Sequence, residues 1–118
     1  MLIQVLKSKL KDVIVTAADT KYEGSITLDP DLMAAANIYP YERVEVNAVN
    51  GESRIVTYAR AGKRGSGCVE LNGGAANFFV VGQHIHVNCF ALLELGSEGH
   101  KGYSPKIVIT DENNKVID

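Results

Sequence analysis

Within Lys21-Tyr22-Glu23-Gly24-Ser25-Ile26-Thr27 a glycine precedes a serine between two β-rich runs. The plainest reading of such a pair is a polar turn, with glycine supplying backbone freedom. The same pair has the composition of a self-cleaving bond. Gly24 lacks a Cβ, so its carbonyl is open to attack, and its backbone can twist that carbonyl toward the Ser25 hydroxyl. Attack by the hydroxyl turns the peptide into an ester. β-Elimination then frees a chain ending at Gly24, and hydrolysis of the dehydroalanine left at position 25 gives a pyruvoyl group on the new amino terminus. A covalent ketone of this kind can accept the electrons released when an amino acid loses CO2. No P-loop or dinucleotide pattern occurs among the glycines to suggest a phosphate-bearing cofactor instead.

Further motifs run along the chain: Ser8-Lys9-Leu10, Asn50-Gly51-Glu52-Ser53-Arg54 and Thr57-Tyr58-Ala59, then Gly62-Lys63-Arg64-Gly65-Ser66-Gly67. Leu71-Asn72-Gly73-Gly74-Ala75-Ala76 and Ser104-Pro105-Lys106 follow. With Tyr22-Glu23-Gly24-Ser25, in this order and at this spacing, they resemble the bacterial aspartate 1-decarboxylases, which are pyruvoyl enzymes. The resemblance covers nearly all of the chain. It implies a mainly β fold, a double-psi β-barrel with short helices, assembled as a homotetramer with sites between neighbouring subunits. It also implies autocatalytic cleavage at Gly24-Ser25 of a single domain, 1–118, into segments 1–24 and 25–118. The implied reaction is decarboxylation of L-aspartate to β-alanine and CO2, in pantothenate and coenzyme A biosynthesis, with a pyruvoyl group derived from Ser25. A related pyruvoyl decarboxylase of another acidic amino acid and an uncleaved barrel acting as a binding module are the competing readings. The sequence names no maturation partner.

Aspartate carries two carboxylates and must lose only one. A cation on the departing α-carboxylate would stabilise the ground state, so cations should hold the side-chain carboxylate. Arg54 suits this because its planar fork matches a carboxylate, and Lys9 is the second candidate. A solvated strand-face cation is the structural alternative for each. By resemblance, Tyr58 delivers a proton to the α-carbon, and Thr57 polarises the Gly24 carbonyl during cleavage and lines the substrate site. Tyr22 is expected to line the mature pocket. Adjacent residues of a regular strand face opposite ways, so a bend or a partner subunit must bring Thr57 and Tyr58 together. Asn72, Gly73, Gly74 and Ala75 could present backbone N–H groups to the substrate, with Asn72 orienting the ketone or the nearby peptide. A plain turn before a short helix explains these glycines equally well. Two positions depart from the family pattern: Gly74 stands for a usual alanine, and Lys11 for a histidine in many members.

Composition sets the remaining bounds. At 118 residues the chain can bury a core without staples, and its 46% hydrophobic and 22% charged content is ordinary for a globular protein. A formal net charge of −2 offers no electrostatic case for nucleic acid. No apolar run reaches the length of a membrane span, and the start lacks a signal-peptide pattern. Cys68 and Cys89, without CxxC spacing, read as free buried thiols, which points to the cytoplasm. His84 and His86 share a strand face without a third ligand at convincing spacing, so no metal site is expected.

The positioning elements follow from pattern. Leu2–Leu10 and Val13–Thr16 read as two strands separated by Lys11-Asp12. A strand over Ser25–Leu28 leads to a helix capped by Asp29, with Pro30 at its first position, Asn37 as a left-handed end, and Leu28 and Met33 as a hydrophobic staple. The alternation Arg43–Ala48, the Asn50-Gly51 turn and Arg54–Ala59 predict a hairpin. Cys68–Leu71, Gln83–Leu93 and Ile107–Thr110 complete the strands, and the polar tail 111–118 is expected to fray.

Overall fold

A computed structural model describes all residues, Met1–Asp118. The elements in order are β1 (Leu2–Ile14), β2 (Ala17–Asp19), β3 (Ser25–Leu28), α1 (Pro30–Ala36), β4 (Arg43–Ala48) and β5 (Arg54–Ala61). After them come β6 (Val69–Asn72), a 3-10 turn (Gly73–Phe78), β7 (His84–Glu94) and β8 (Lys106–Ile109). The strands join in one mixed eight-stranded sheet of order β2-β6-β3-β5-β4-β7-β1-β8. β3 lies between a parallel neighbour, β5, and an antiparallel one, β6. This mainly β arrangement with short helices fits a double-psi β-barrel.

The core comes from one face of each strand. Val44, Val46 and Ala48 on β4 are buried, as are Ile85 and Val87 on β7, while Glu45, Asn47 and His86 between them face outward. Two-residue alternation of this kind gives a sheet one dry and one wet face. Ile26, Leu28, Leu71 and Val69 extend the same core under β3 and β6.

The long first strand differs from expectation. Lys11-Asp12 does not separate a pair of strands; it is a β-bulge within one. Leu10 pairs with Val87 and Val13 with Ile85, so two residues of β1 oppose the single His86. Asp12 takes a left-handed φ of 63°, and His86 Nδ1 accepts its backbone N–H at 3.0 Å. A second bulge at Lys7 lies between the Leu6–Phe90 and Ser8–Cys89 pairs. The break in polarity at Lys11-Asp12 is thus absorbed by one extra residue.

α1 begins and ends where its sequence signals stand. Asp29 caps it through the Asp31 N–H at 2.8 Å, Pro30 occupies the first turn, and Asn37 ends it at φ 55°. The same buried carboxylate reaches a second segment, accepting the Gly65 N–H at 3.1 Å and the Gly67 N–H at 2.8 Å. Burial alone would raise the Asp29 pKa. The N–H groups of Asp31, Gly67 and Gly65, with the Lys115 cation, outweigh it and leave the pKa below the ordinary carboxylate value.

The tail does not fray. Asn114 is buried, and its side chain accepts the Ile14 N–H and donates to the Ile14 and Gly67 carbonyls, each at 2.8 Å. A bridge between Thr110 and Val116 closes the tail back on itself. Polarity suggested a loose end, whereas a single amide here satisfies three backbone groups. Cys68 and Cys89 are buried and free, and burial pushes the Cys89 thiol up to about 11, so it stays protonated.

Asp29 therefore ties α1, the Lys63–Gly67 loop and the tail together. Asp29→Asn should lower unfolding free energy by about 1–3 kcal/mol at pH 7, read by urea denaturation. Because the folded pKa lies below 3.8, this contribution is complete above that pH and is lost as pH falls through the folded value. The gap between wild type and Asp29→Asn should close there; a gap unchanged at pH 2 would contradict the assignment.

Candidate active site

Ser25 opens β3 directly opposite Asn72, the last residue of β6. Ile26 and Leu28 turn into the core, so Ser25 and Thr27 share the other face of the strand. The Ser25 side chain is nonetheless fully buried. Asn72 Nδ2 donates to Ser25 Oγ at 2.9 Å and to Thr27 Oγ1 at 2.8 Å.

The turn after Asn72 holds the preceding segment in place. Gly73 has φ +63°, and a Cβ there would lie 2.5 Å from the Tyr22 carbonyl oxygen and 2.6 Å from the Gly24 nitrogen. Only glycine permits that conformation and that approach together. Gly24 itself is not among the glycines with a left-handed φ. The nearest atom to a Cβ on Gly24 would be the Asn72 carbonyl oxygen at 4.0 Å, so its exposed side is open. A Cβ on Gly74 would meet nothing within 4 Å, and the alanine usual in the family would fit equally well.

Two hollows flank the Gly24–Ser25 bond. One, of about 380 Å3, is lined by Gly24, Thr57, Tyr58, Gly74 and Ala75, with Ile55, Val56 and Phe78. Thr57 and Tyr58 both border it without a break in β5. The other, of about 520 Å3, is polar and includes Tyr22, Thr27, Asn72, Arg60 and Glu70. Tyr58 stacks on Tyr41 with ring centroids 6.2 Å apart, which fixes the phenol's plane at the rim.

The two candidate cations stand elsewhere. Arg54 pairs across the sheet with Asn47, and Asn47 with His86; Lys9 pairs with Asn88, and Asn88 with Glu45. Directly opposed residues share a face, so Arg54 and Lys9 lie on the outward polar face of β5-β4-β7-β1. Neither lines a hollow at Gly24–Ser25. Arg54 meets Glu45 at 3.5 Å, an exposed pair that restrains it little. Burial lowers the His86 pKa, and Lys9 and Lys11 push it further down against the pull of Asp12. His84 Nδ1 contacts Asp12 Oδ1 at 2.8 Å, so both histidines are engaged with the bulge. No group of three His, Cys, Asp or Glu side chains stands close enough to hold a metal ion.

Thr27 was absent from the residues singled out by sequence. Its signal was available: two positions after Ser25 on a strand, it must share that residue's face. Phe78, Ile55 and Val56, which wall the smaller hollow, carried no such signal.

The aspartate decarboxylase family model matches residues 1–117. An aspartate 1-decarboxylase of Caldicellulosiruptor saccharolyticus is 45% identical over 117 residues, covering 99% of this chain and 90% of that protein. One from Thermoanaerobacter pseudethanolicus is 43% identical over 113 residues, covering 96% and 95%. One from Burkholderia multivorans is 42% identical over 112 residues, covering 95% and 87%.

The contact of Gly73 with the Tyr22–Gly24 backbone yields a direct test. Gly73→Ala should destabilise the fold by roughly 2 kcal/mol or more, from its left-handed φ and the close approach together. Gly74→Ala, one residue on, should change stability by less than about 0.5 kcal/mol. Equal thermal shifts for the two variants would contradict the packing.

Proposed function

This chain belongs to the aspartate decarboxylase family, whose reaction turns L-aspartate into β-alanine and CO2, and we propose that it performs that reaction with a pyruvoyl group formed from Ser25. Cleavage at Gly24–Ser25 divides one domain into segments 1–24 and 25–118, which stay together through the β1–β7, β1–β8 and β2–β6 pairs. The enzyme works in pantothenate and coenzyme A biosynthesis in the cytoplasm, a compartment in keeping with the free thiols of Cys68 and Cys89.

One observation carries this reading: a fully buried serine hydroxyl, held by Asn72, follows an unhindered glycine at the edge of a hollow shared with Tyr58. The surroundings fit a ketone at position 25, since Ile55, Ala75 and Phe78 give the hollow a largely apolar wall. That group supplies the acceptor for the electrons left behind by CO2. The chain's own residues do the rest. Thr57 polarises the Gly24 carbonyl during maturation, and afterwards lines the substrate space with Tyr22, Asn72, Gly73, Gly74 and Ala75. Tyr58, oriented by Tyr41, hands its proton to the α-carbon. Arg54 and Lys9 grip the side-chain carboxylate and leave the α-carboxylate without a cation.

That neither cation borders the hollows beside Gly24–Ser25 supports a site built between subunits of a homotetramer. A neighbouring copy laid over the hollow would bring its Arg54 and Lys9 to this Ser25. It would also cover Phe78 and Val56, which are about half exposed at the rim.

Ser25→Ala should remain one continuous chain and fail to decarboxylate aspartate. Arg54→Ala should still cleave but lose aspartate turnover, by about 100-fold in kcat/KM. Co-expressed so that mixed oligomers form, the two inactive variants should regain measurable turnover, because each supplies what the other lacks. A turning-over Ser25→Ala protein would refute the cofactor, and mixed oligomers that stay silent would refute the shared site.

A further inference from the structure

Asn72 has two amide hydrogens on Nδ2, and both are committed: one to Ser25 Oγ at 2.9 Å and one to Thr27 Oγ1 at 2.8 Å. A carboxamide can turn either its nitrogen or its oxygen toward a neighbour. With two hydroxyl oxygens on the same side, the nitrogen can face Ser25 with both of its hydrogens satisfied, provided that the second hydroxyl stays in place. Thr27 is held there by its own packing. A Cβ on Gly62 would lie 2.8 Å from Thr27 Cγ2 and 2.5 Å from Cys68 Sγ, so the threonine methyl occupies the space that glycine leaves open. A β-branched side chain has few χ1 choices on a strand, and anchoring the methyl fixes the hydroxyl.

From this geometry we propose that Thr27 is a positioning residue for the maturation of Ser25, acting through the orientation of the Asn72 amide. The inference rests on the reading that the Gly24–Ser25 bond cleaves itself, and it specifies which group serves the oxygen that is first nucleophile and then leaving group. In the first step Ser25 Oγ gives up its proton and bonds to the Gly24 carbonyl carbon. The Gly24–Ser25 C–N bond breaks, and the nitrogen takes a proton. In the second step water removes the Ser25 Cα proton, Cα and Cβ become doubly bonded, and the Cβ–Oγ bond breaks. The electron pair leaves on Oγ as part of the Gly24 carboxylate. In the first step negative charge builds on the Gly24 carbonyl oxygen, and an N–H donor at Oγ helps only by easing loss of its proton. In the second step the charge builds on Oγ itself, and the preset donor lowers that barrier. With Nδ2 facing it, Ser25 Oγ accepts rather than donates, which leaves its own proton free to depart.

Without the Thr27 hydroxyl, one amide hydrogen faces a half-buried space with no acceptor. Rotation of the amide would relieve that cost and turn Oδ1 toward Ser25, making Ser25 donate its proton to Asn72. The electrostatic contribution at Oγ would then change sign.

The test follows cleavage itself by intact mass, from synthesis of the full chain to segments 1–24 and 25–118. Thr27→Val preserves shape and removes the acceptor; it should slow cleavage roughly five- to ten-fold. Thr27→Ser keeps the acceptor without the methyl and should cleave within about two-fold of wild type, a rescue that a packing role alone would not give. Thermal unfolding of each precursor confirms that it is folded. Wild-type cleavage with Thr27→Val equally fast, or Thr27→Ser as slow as Thr27→Val, would overturn the role of Thr27 alone. A wild-type chain that never cleaves would overturn the maturation reading and this inference with it.

Discussion

The site depends on a close approach of two backbones. Gly73 lies against the Tyr22–Gly24 segment at a distance that leaves no room for a Cβ, and the β3–β6 ladder sets Ser25 opposite Asn72. Together these contacts fix the residue before the serine and the partner of its hydroxyl. They also leave the Gly24 side of the peptide open. A tight constraint on one strand end thus coexists with open space beside the Gly24 Cα.

The division of labour across the sheet follows from the same register. Strand alternation sends the apolar residues of β4 and β7 inward and leaves Lys9, His86, Asn47 and Arg54 on a wet face. Placing cations there avoids burying them beside an apolar hollow, where each would need a partner to offset desolvation. Neither Arg54 nor Lys9 lines the hollows beside Gly24–Ser25.

Much of the fold was legible in the sequence because its signals are local. Asp29, Pro30 and Asn37 mark the helix, and the alternation through Arg43–Ala48 marks a half-wet strand. The family could be named from motif order. What failed to show were features set by distant partners. The bulge at Lys11-Asp12 depends on His86, seventy-four residues away, accepting one N–H. The tail is pinned by Asn114, whose amide meets Ile14 and Gly67. The demand for glycine at Gly73, for φ and for space, is likewise set by a distant segment. No propensity records which of two glycines another strand will press against.

The most direct measurement pairs intact mass with aspartate turnover on freshly made wild-type protein, sampled as maturation proceeds. The rate of β-alanine formation should rise in proportion to the fraction of chains divided between Gly24 and Ser25, and be absent while all are whole. Full turnover by protein whose every chain still runs unbroken from Met1 to Asp118 would contradict a cofactor made from Ser25.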